Sequence, residues 1–314
     1  MKKFIIRIFL LLVSSYIVSL IIDIPFSKIA KPRGEFSSWN DLYSNNINAD
    51  LLIFGSSRAM NHFNPQIIED SLHISTYNLG LSSARIEISL LRLLEHLRIC
   101  SHKPKYITLE IDWLTIDNAK FLWTPWQIFP YMLYNKNIYK YTHHFQGYYT
   151  HFYIIPLARY GKYFLEIMRN RYRNNDKNSN AEGKGFVAFK SCWERTTSDM
   201  KPIEVSIHNE EIDYLKEFID ICKSNNIKLS FVYAPEYIEA SQYVTNRDSV
   251  NNYIREIAYK NDIPFADFSQ YDFCKDTTLF CNMRHLNSRG ADKFTSEYYV
   301  PWIKKLYGIN ITTE

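Results

Sequence analysis

Three short segments of the 314-residue chain carry side chains suited to nucleophilic chemistry. The first, Phe54-Gly55-Ser56-Ser57-Arg58-Ala59, closes the apolar run Leu51-Leu52-Ile53-Phe54. A serine at such a strand-to-helix turn exposes its hydroxyl beside backbone N–H groups. The second, Tyr77-Asn78-Leu79-Gly80, ends in a glycine, which lets a further N–H approach a reacting carbonyl with no Cβ in the way. The third, Asn282-Met283-Arg284-His285-Leu286-Asn287-Ser288-Arg289-Gly290-Ala291, sets a histidine just before a polar helix start. A neutral hydroxyl is a poor nucleophile until a base titrating near neutrality takes its proton, and the oxyanion that follows needs fixed donors. Arg58, next to the serines, has the fork geometry to clamp a carboxylate or phosphate, or to form a structural ion pair.

These segments act together only if the fold brings them to one place. Residues 50–55, 75–80, 106–112, 227–233 and 263–267 read as strands, short apolar runs bounded by turn residues. Between them lie amphipathic helices, one with Ile86, Leu90, Leu93, Leu94 and Leu97 on a stripe, another with Ile212, Leu215, Phe218, Ile219 and Cys222, and a third over about 246–260. Strands alternating with helices predict an α/β fold: a doubly wound, flavodoxin-like parallel sheet of about five strands. Ligands of such sheets bind beyond the carboxyl ends of the strands, where Ser57, Gly80 and Asp112 would emerge.

Residues 114–205 interrupt this rhythm and read as an insertion, mainly helical, in a domain spanning 50–314. Sixteen aromatic residues fall between Phe121 and Phe164, enough either for a carbohydrate-stacking lid or for an ordinary core. The polar, basic stretch 169–180 reads as a loop. His143, His144 and His151 lack carboxylates or thiols at ligand spacing, so no metal site is expected.

Residues 8–22 carry no charge and follow Lys2, Lys3 and Arg7. Segment 1–24 is therefore expected to be a membrane anchor, with a cleaved signal peptide as the alternative, and 25–49 a polar stalk. Positive flanking charge keeps the N-terminus in the cytoplasm, so the domain would lie on the periplasmic or extracellular side of a cytoplasmic membrane, as a single-pass protein. The charge sum, 37 basic against 33 acidic residues, is small and scattered, which argues against a nucleic-acid partner. Nine glycines against 50 aromatics exclude collagen-like and low-complexity classes. Of the five cysteines, Cys274 and Cys281 are close enough in sequence to pair in an oxidising compartment.

Taken in order, Gly55-Ser56-Ser57-Arg58, Asn78-Leu79-Gly80 and His285-Leu286-Asn287 with Gly290-Ala291 resemble the motifs of the SGNH (GDSL-type) hydrolase superfamily. They are most similar to its membrane-anchored branch associated with O-acylation of cell-envelope polysaccharides. The resemblance covers roughly residues 50–112 and 207–306. It implies Ser57 as nucleophile, His285 as base, and the Ser57 and Gly80 N–H groups as the oxyanion donors. The implied activity is that of a serine esterase or O-acyltransferase moving an acetyl-like group on an extracellular or periplasmic glycan or acylated small molecule, with no metal or dissociable cofactor and with a membrane acyl-donor protein as a further partner.

Two positions depart from the family pattern. Where aspartate usually precedes the histidine by three residues stands Asn282, which can orient the imidazole but not neutralise its cation. The asparagine block expected after the third strand is absent, and Glu110-Ile111-Asp112 stands there instead. Asp112 is accordingly a candidate replacement partner for His285 or a contact for a substrate hydroxyl. The competing reading is an envelope scaffold or glycan-binding module of the same fold with weakened catalysis.

Overall fold

The computed structural model describes residues 1–117, 122–172, 179–190, 193 and 202–309. The chain opens with α1 (Lys2–Ile29), the one described helix long and apolar enough to cross a membrane. A short helix, α2 (Ser38–Tyr43), leads to strand β1 (Leu51–Phe54), helices α3 (Ser57–His62) and α4 (Pro65–Leu72), and strand β2 (Thr76–Asn78). Then follow α5 (Ile86–Ile99) and β3 (Tyr106–Glu110). The insertion contributes α6 (Phe129–Met132), α7 (Lys136–Thr142), α8 (Thr150–Ile154), α9 (Phe164–Tyr172) and the hairpin β4 (Ser179–Gly183) with β5 (Phe186–Phe189). The chain returns to α10 (Asn209–Ser224), β6 (Lys228–Tyr233), α11 (Arg247–Lys260) and β7 (Phe265–Asp267). A small hairpin, β8 (Phe280–Asn282) and β9 (His285–Leu286), precedes α12 (Ser288–Phe294) and α13 (Val300–Tyr307).

Five strands form a parallel sheet in the order β2-β1-β3-β6-β7, the doubly wound arrangement expected of the alternating pattern. Its central strand residues alternate between two cores because side chains alternate along a strand. Leu52 and Phe54 face one core with Phe218 of α10 and Leu90 of α5; Leu51 and Ile53 face the other with Ile68 of α4, Phe294 of α12 and Ile303 of α13. The order reverses direction at β1, so the turn after β1 opens at the crevice between β1 and β3.

Two expectations are corrected here. Residues 25–49 are not a free stalk, since α1 continues to Ile29 and Phe36, Trp39 and Leu42 are buried in the first core. Burying apolar side chains of this size is worth roughly 1.5–3 kcal/mol each, enough to hold the segment against the domain. Trp39 also donates to Gln127 Oε1 at 2.9 Å and lies 4.4 Å beneath the Arg92 guanidinium. The cysteines Cys274 and Cys281 are not joined; Cys274 Sγ donates instead to the Phe268 carbonyl at 3.3 Å.

The insertion is core rather than lid. Trp126, Phe129, Tyr141, Phe145, Tyr148, Phe152 and Tyr160 are all buried and belong to the same core as α2 and α5. Its helices also grip α1: fully buried Arg159 donates to Asp23 Oδ1 at 2.6 Å and Oδ2 at 2.9 Å, and the Leu157 N–H donates to Oδ2 at 2.6 Å. Part of the stretch read as a loop, 173–178, lies outside the described residues, and the chain beyond it forms the β4–β5 hairpin. That hairpin packs on α3, where Asn61 Nδ2 donates to the Val187 carbonyl at 2.6 Å.

Candidate active site

The turn after β1 is built for close packing. Gly55 has φ +140°, and a Cβ there would meet the Glu110 carbonyl at 2.7 Å, so only glycine lets β1 pass β3 and turn this sharply. Ser56 then caps α3: its Oγ accepts from the Arg58 N–H at 3.2 Å and donates to Glu110 Oε2 at 3.0 Å. Ser57, the first helical residue, is left facing the cleft.

His285 reaches the same point from the other side of the sequence. The β8–β9 hairpin pairs Asn282 with His285, and the Ser57 Oγ to His285 Nε2 distance is 2.8 Å. On the far side of the ring, Nδ1 lies 3.1 Å from Asn282 Oδ1. That oxygen also accepts from the backbone N–H groups of Arg284 (2.9 Å) and His285 (3.0 Å). Two backbone donors require an acceptor, so they fix which end of the amide points inward. Asn282 Oδ1 therefore accepts a hydrogen bond from Nδ1–H and leaves Nε2 with a free lone pair toward Ser57. Burial, followed by the charges of Arg284 and Arg58, pushes the imidazole pKa down to about 3. His62 stands edge-to-face beside it, with ring centroids 6.2 Å apart, and Phe189 of β5 packs 5.6 Å away. Burial foremost holds His62 well below the ordinary histidine value, and its Nε2 accepts from the Leu286 N–H at 3.1 Å.

The remaining sequence candidates occupy different positions. Asp112 is at the cleft wall but does not serve His285: its carboxylate accepts from Arg58 and, at 3.0 Å, from the Thr115 N–H. Arg58 lies in a buried cluster, 3.2 Å from Glu236 and 3.4 Å from Glu110 in addition to Asp112, so the ion-pair alternative describes its contacts. The Glu110 carboxyl titrates high because it is buried, although Arg58 pulls the other way.

Gly80 is also corrected as an oxyanion donor. Its N–H is already taken by Asn78 Oδ1 at 2.9 Å, and a Cβ would strike Met60 N at 2.4 Å, so the glycine serves the packing of β2 against α3. Asn64 and Asn287 cap α4 and α12, accepting from the Gln66 and Gly290 N–H groups.

A cavity of about 260 Å³ opens over Ser57 and His285, with Ser83, Arg85, Trp123 and Arg284 on its walls. Sequence reading passed over Arg284, although it is adjacent to His285. Its guanidinium carbon lies 4.6 Å over the Trp113 ring. Of the insertion's described aromatics, Trp123 is the one that lines this cavity.

The fold and this pair define an α/β protein with a serine and a histidine in hydrogen-bond contact at the sheet's switch point. Solved structures similar to it include GDSL-like lipases, acylhydrolases and a carbohydrate esterase. A GDSL-like lipase from Bacteroides thetaiotaomicron is 12% identical with a TM-score of 0.44, over 87% of this chain and 99% of its own. The lipase/acylhydrolase from Enterococcus faecalis is 12% identical with a TM-score of 0.43, over 82% and 95%. A family two carbohydrate esterase from Clostridium thermocellum is 10% identical with a TM-score of 0.42, over 83% of this chain and 64% of its own. One family model matches residues 192–307, and no curated protein matches the sequence. At these identities the likeness concerns the course of the chain; the chemistry rests on the side chains.

Proposed function

We propose that the protein is an SGNH-type serine esterase or acyltransferase acting on O-acyl groups of a glycan outside the cytoplasm. The observation that carries this reading is the 2.8 Å contact between Ser57 Oγ and His285 Nε2, with Nδ1 held by Asn282. Ser57 Oγ attacks the acyl carbonyl while its proton passes to Nε2. Collapse of the tetrahedral intermediate breaks the ester bond, and the leaving alkoxide takes that proton from Nε2. Water or a sugar hydroxyl then attacks the acyl-serine, giving its own proton to Nε2, which returns it to Ser57. The Ser57 N–H is the proposed oxyanion donor. Glu110 and Asp112 at the third strand do not confront the oxyanion with bare charge, because Arg58 lies between them.

The same reading takes α1 as an uncleaved membrane span with Lys2, Lys3 and Arg7 in the cytoplasm, so that the domain meets envelope glycan and a membrane acyl donor on the other side. Incubation of the full chain, in detergent, with a serine-directed phosphonate tests it. Labelling at Ser57 that vanishes in His285→Ala supports the enzyme, and absence of labelling in the native protein refutes it.

A second reading, a glycan-binding module with weak catalysis, is favoured by Asn282 in place of a carboxylate and by the occupied N–H of Gly80. Glycan binding without phosphonate labelling would select it.

A further inference from the structure

The cleft holds three arginines, and two of them are matched. Arg58 faces Glu110, Asp112 and Glu236, while Arg85 donates to the Asp117 carboxylate at 3.3 Å and its carbonyl at 3.2 Å. Arg284 is not matched: among the described residues no carboxylate comes within 4.0 Å of its guanidinium, which lies over the Trp113 ring. Burial and then the like charge of Arg58 lower its pKa, with the more distant Glu236 offsetting part of that, so the cation is held at a partly desolvated place beside a like charge. The ring contact leaves its five N–H donors without a side-chain acceptor among the described residues. Arg284 lines the same cavity as Ser57 and His285, the space a substrate would fill.

We propose that Arg284 binds an anionic group, a carboxylate or a phosphate, carried by the substrate close to its ester. The proposal rests on Ser57 and His285 being the reacting pair. A cavity of about 260 Å³ lies just below the range of roughly 300–1,000 Å³ usual for ligand sites, which favours an anion on the acylated residue itself or its immediate neighbour. The planar fork suits either oxyanion bidentately. Binding also has a second effect. The anion offsets the positive field that Arg284 imposes on His285, making the imidazole a stronger base once the correct substrate is present.

Calorimetry on full-length Ser57→Ala protein in detergent compares galacturonate, glycerol 3-phosphate and uncharged galactose. At least one anion is expected to bind more tightly than galactose, and Arg284→Gln is expected to weaken it by roughly 10- to 100-fold, the range for a hydrogen bond to a charged group. Arg284→Lys should recover part of that loss as a point charge without the fork. The tighter of the two anions identifies the source. Equal binding of all three probes, or unchanged anion binding in Arg284→Gln, overturns the proposal.

Kinetics then separate this role from oxyanion stabilisation. With acetylated galacturonic acid against its methyl ester, Arg284→Gln should reduce the preference for the free acid. An equal loss on both esters would make Arg284 an oxyanion donor and overturn the anion site. Failure of phosphonate labelling at Ser57 would instead remove the esterase reading, while the calorimetric result stands on its own.

Discussion

Asn282 Oδ1 sits 3.1 Å from His285 Nδ1 and is held there by two backbone N–H groups of its own turn. The amide so placed does half of an aspartate's work. It selects the tautomer with Nε2 free, but gives no negative charge to stabilise the imidazolium. In serine proteases the aspartate-to-asparagine change costs about 10⁴ in kcat because the wrong tautomer results. The backbone donors here prevent that error, so the deficit confined to missing charge is smaller.

Replacing Asn282 by aspartate should therefore raise kcat on an activated ester by roughly 10- to 100-fold, the worth of one charge-assisted hydrogen bond. Asn282→Ala should lower it by a similar factor, because the ring loses its orienting acceptor. Steady-state kinetics of the two variants decide the matter, and equal rates in both would deny Asn282 a positioning role.

Asp112 behaves differently. Its carboxylate belongs to the Arg58 cluster, with Tyr233 beneath that guanidinium at 4.7 Å. Removing the cation in Arg58→Met leaves buried carboxylates uncompensated and should cost about 3–5 kcal/mol of stability. Asp112→Asn should cost about 1–3 kcal/mol, with a smaller effect on kcat than Asn282→Ala. Denaturant melts read alongside kinetics check both; a larger kcat loss in Asp112→Asn would return it to the catalytic group.

Acidity acts on this protein twice. A protonated Nε2 cannot accept the Ser57 proton, so activity falls as pH drops through the His285 pKa. The charged groups facing that ring are Arg284 and Arg58, with His62, Ser57 and Asn282 neutral around it, and together with burial they set the value near 3. The acid limb of kcat/KM on a neutral ester should lie well below the usual histidine range of about 6.5, and Arg284→Gln should move it upward. A limb between pH 6 and 7 in the native protein would contradict the burial argument.

Stability has the same sign. His62, His96 and His285 all have folded values depressed below that of the unfolded chain, His96 to about 4 through burial. The unfolded state then binds more protons, and stability is lost as pH falls below about 6.5, by up to about 1.4 kcal/mol per pH unit for each histidine. Thermal melts between pH 7 and 4.5 should show the decline, and His96→Phe, in α5 away from the cleft, should make it shallower. A flat profile would mean that these rings are solvated.

The sheet was legible because strand length, flanking glycines and helical stripes are local signals, as in Leu51–Phe54 and the Leu90-Leu93-Leu97 stripe. Ser57 and His285 were visible as motif residues, but their contact joins positions 228 apart and depends on the fold. The occupant of the Gly80 N–H was not legible, since a glycine that avoids a clash with Met60 looks the same in sequence as one that opens a donor to a ligand. Asp112 was misread as a partner for His285 because sequence places it at the correct sheet edge without showing that Arg58 reaches it first. Likewise, aromatic density in the insertion could not distinguish a lid from a core until α2 and α5 were seen against it.

The insertion's contact with α1 gives a final prediction. Tyr16 donates to the Ile154 carbonyl at 2.8 Å and touches Tyr134, while Phe26 stacks on Phe164 at 5.9 Å. Tyr16 is seven residues, roughly 10 Å of helix, further into the apolar segment than buried Asp23. If α1 spans a bilayer, Ile154, which is 51% exposed, must lie within it, and Leu165, 67% exposed near Phe26, at its boundary. Fluorophores placed on cysteines at 12, 154, 165 and 259, with Cys192 changed to serine, can be tested in liposomes containing doxyl-labelled lipid. Quenching should be strong at 12 and 154, weaker at 165 and absent at Tyr259, which is 85% exposed on α11. A label at 154 as unquenched as that at 259 would lift the insertion off the membrane, and an unquenched label at 12 would remove the anchor itself.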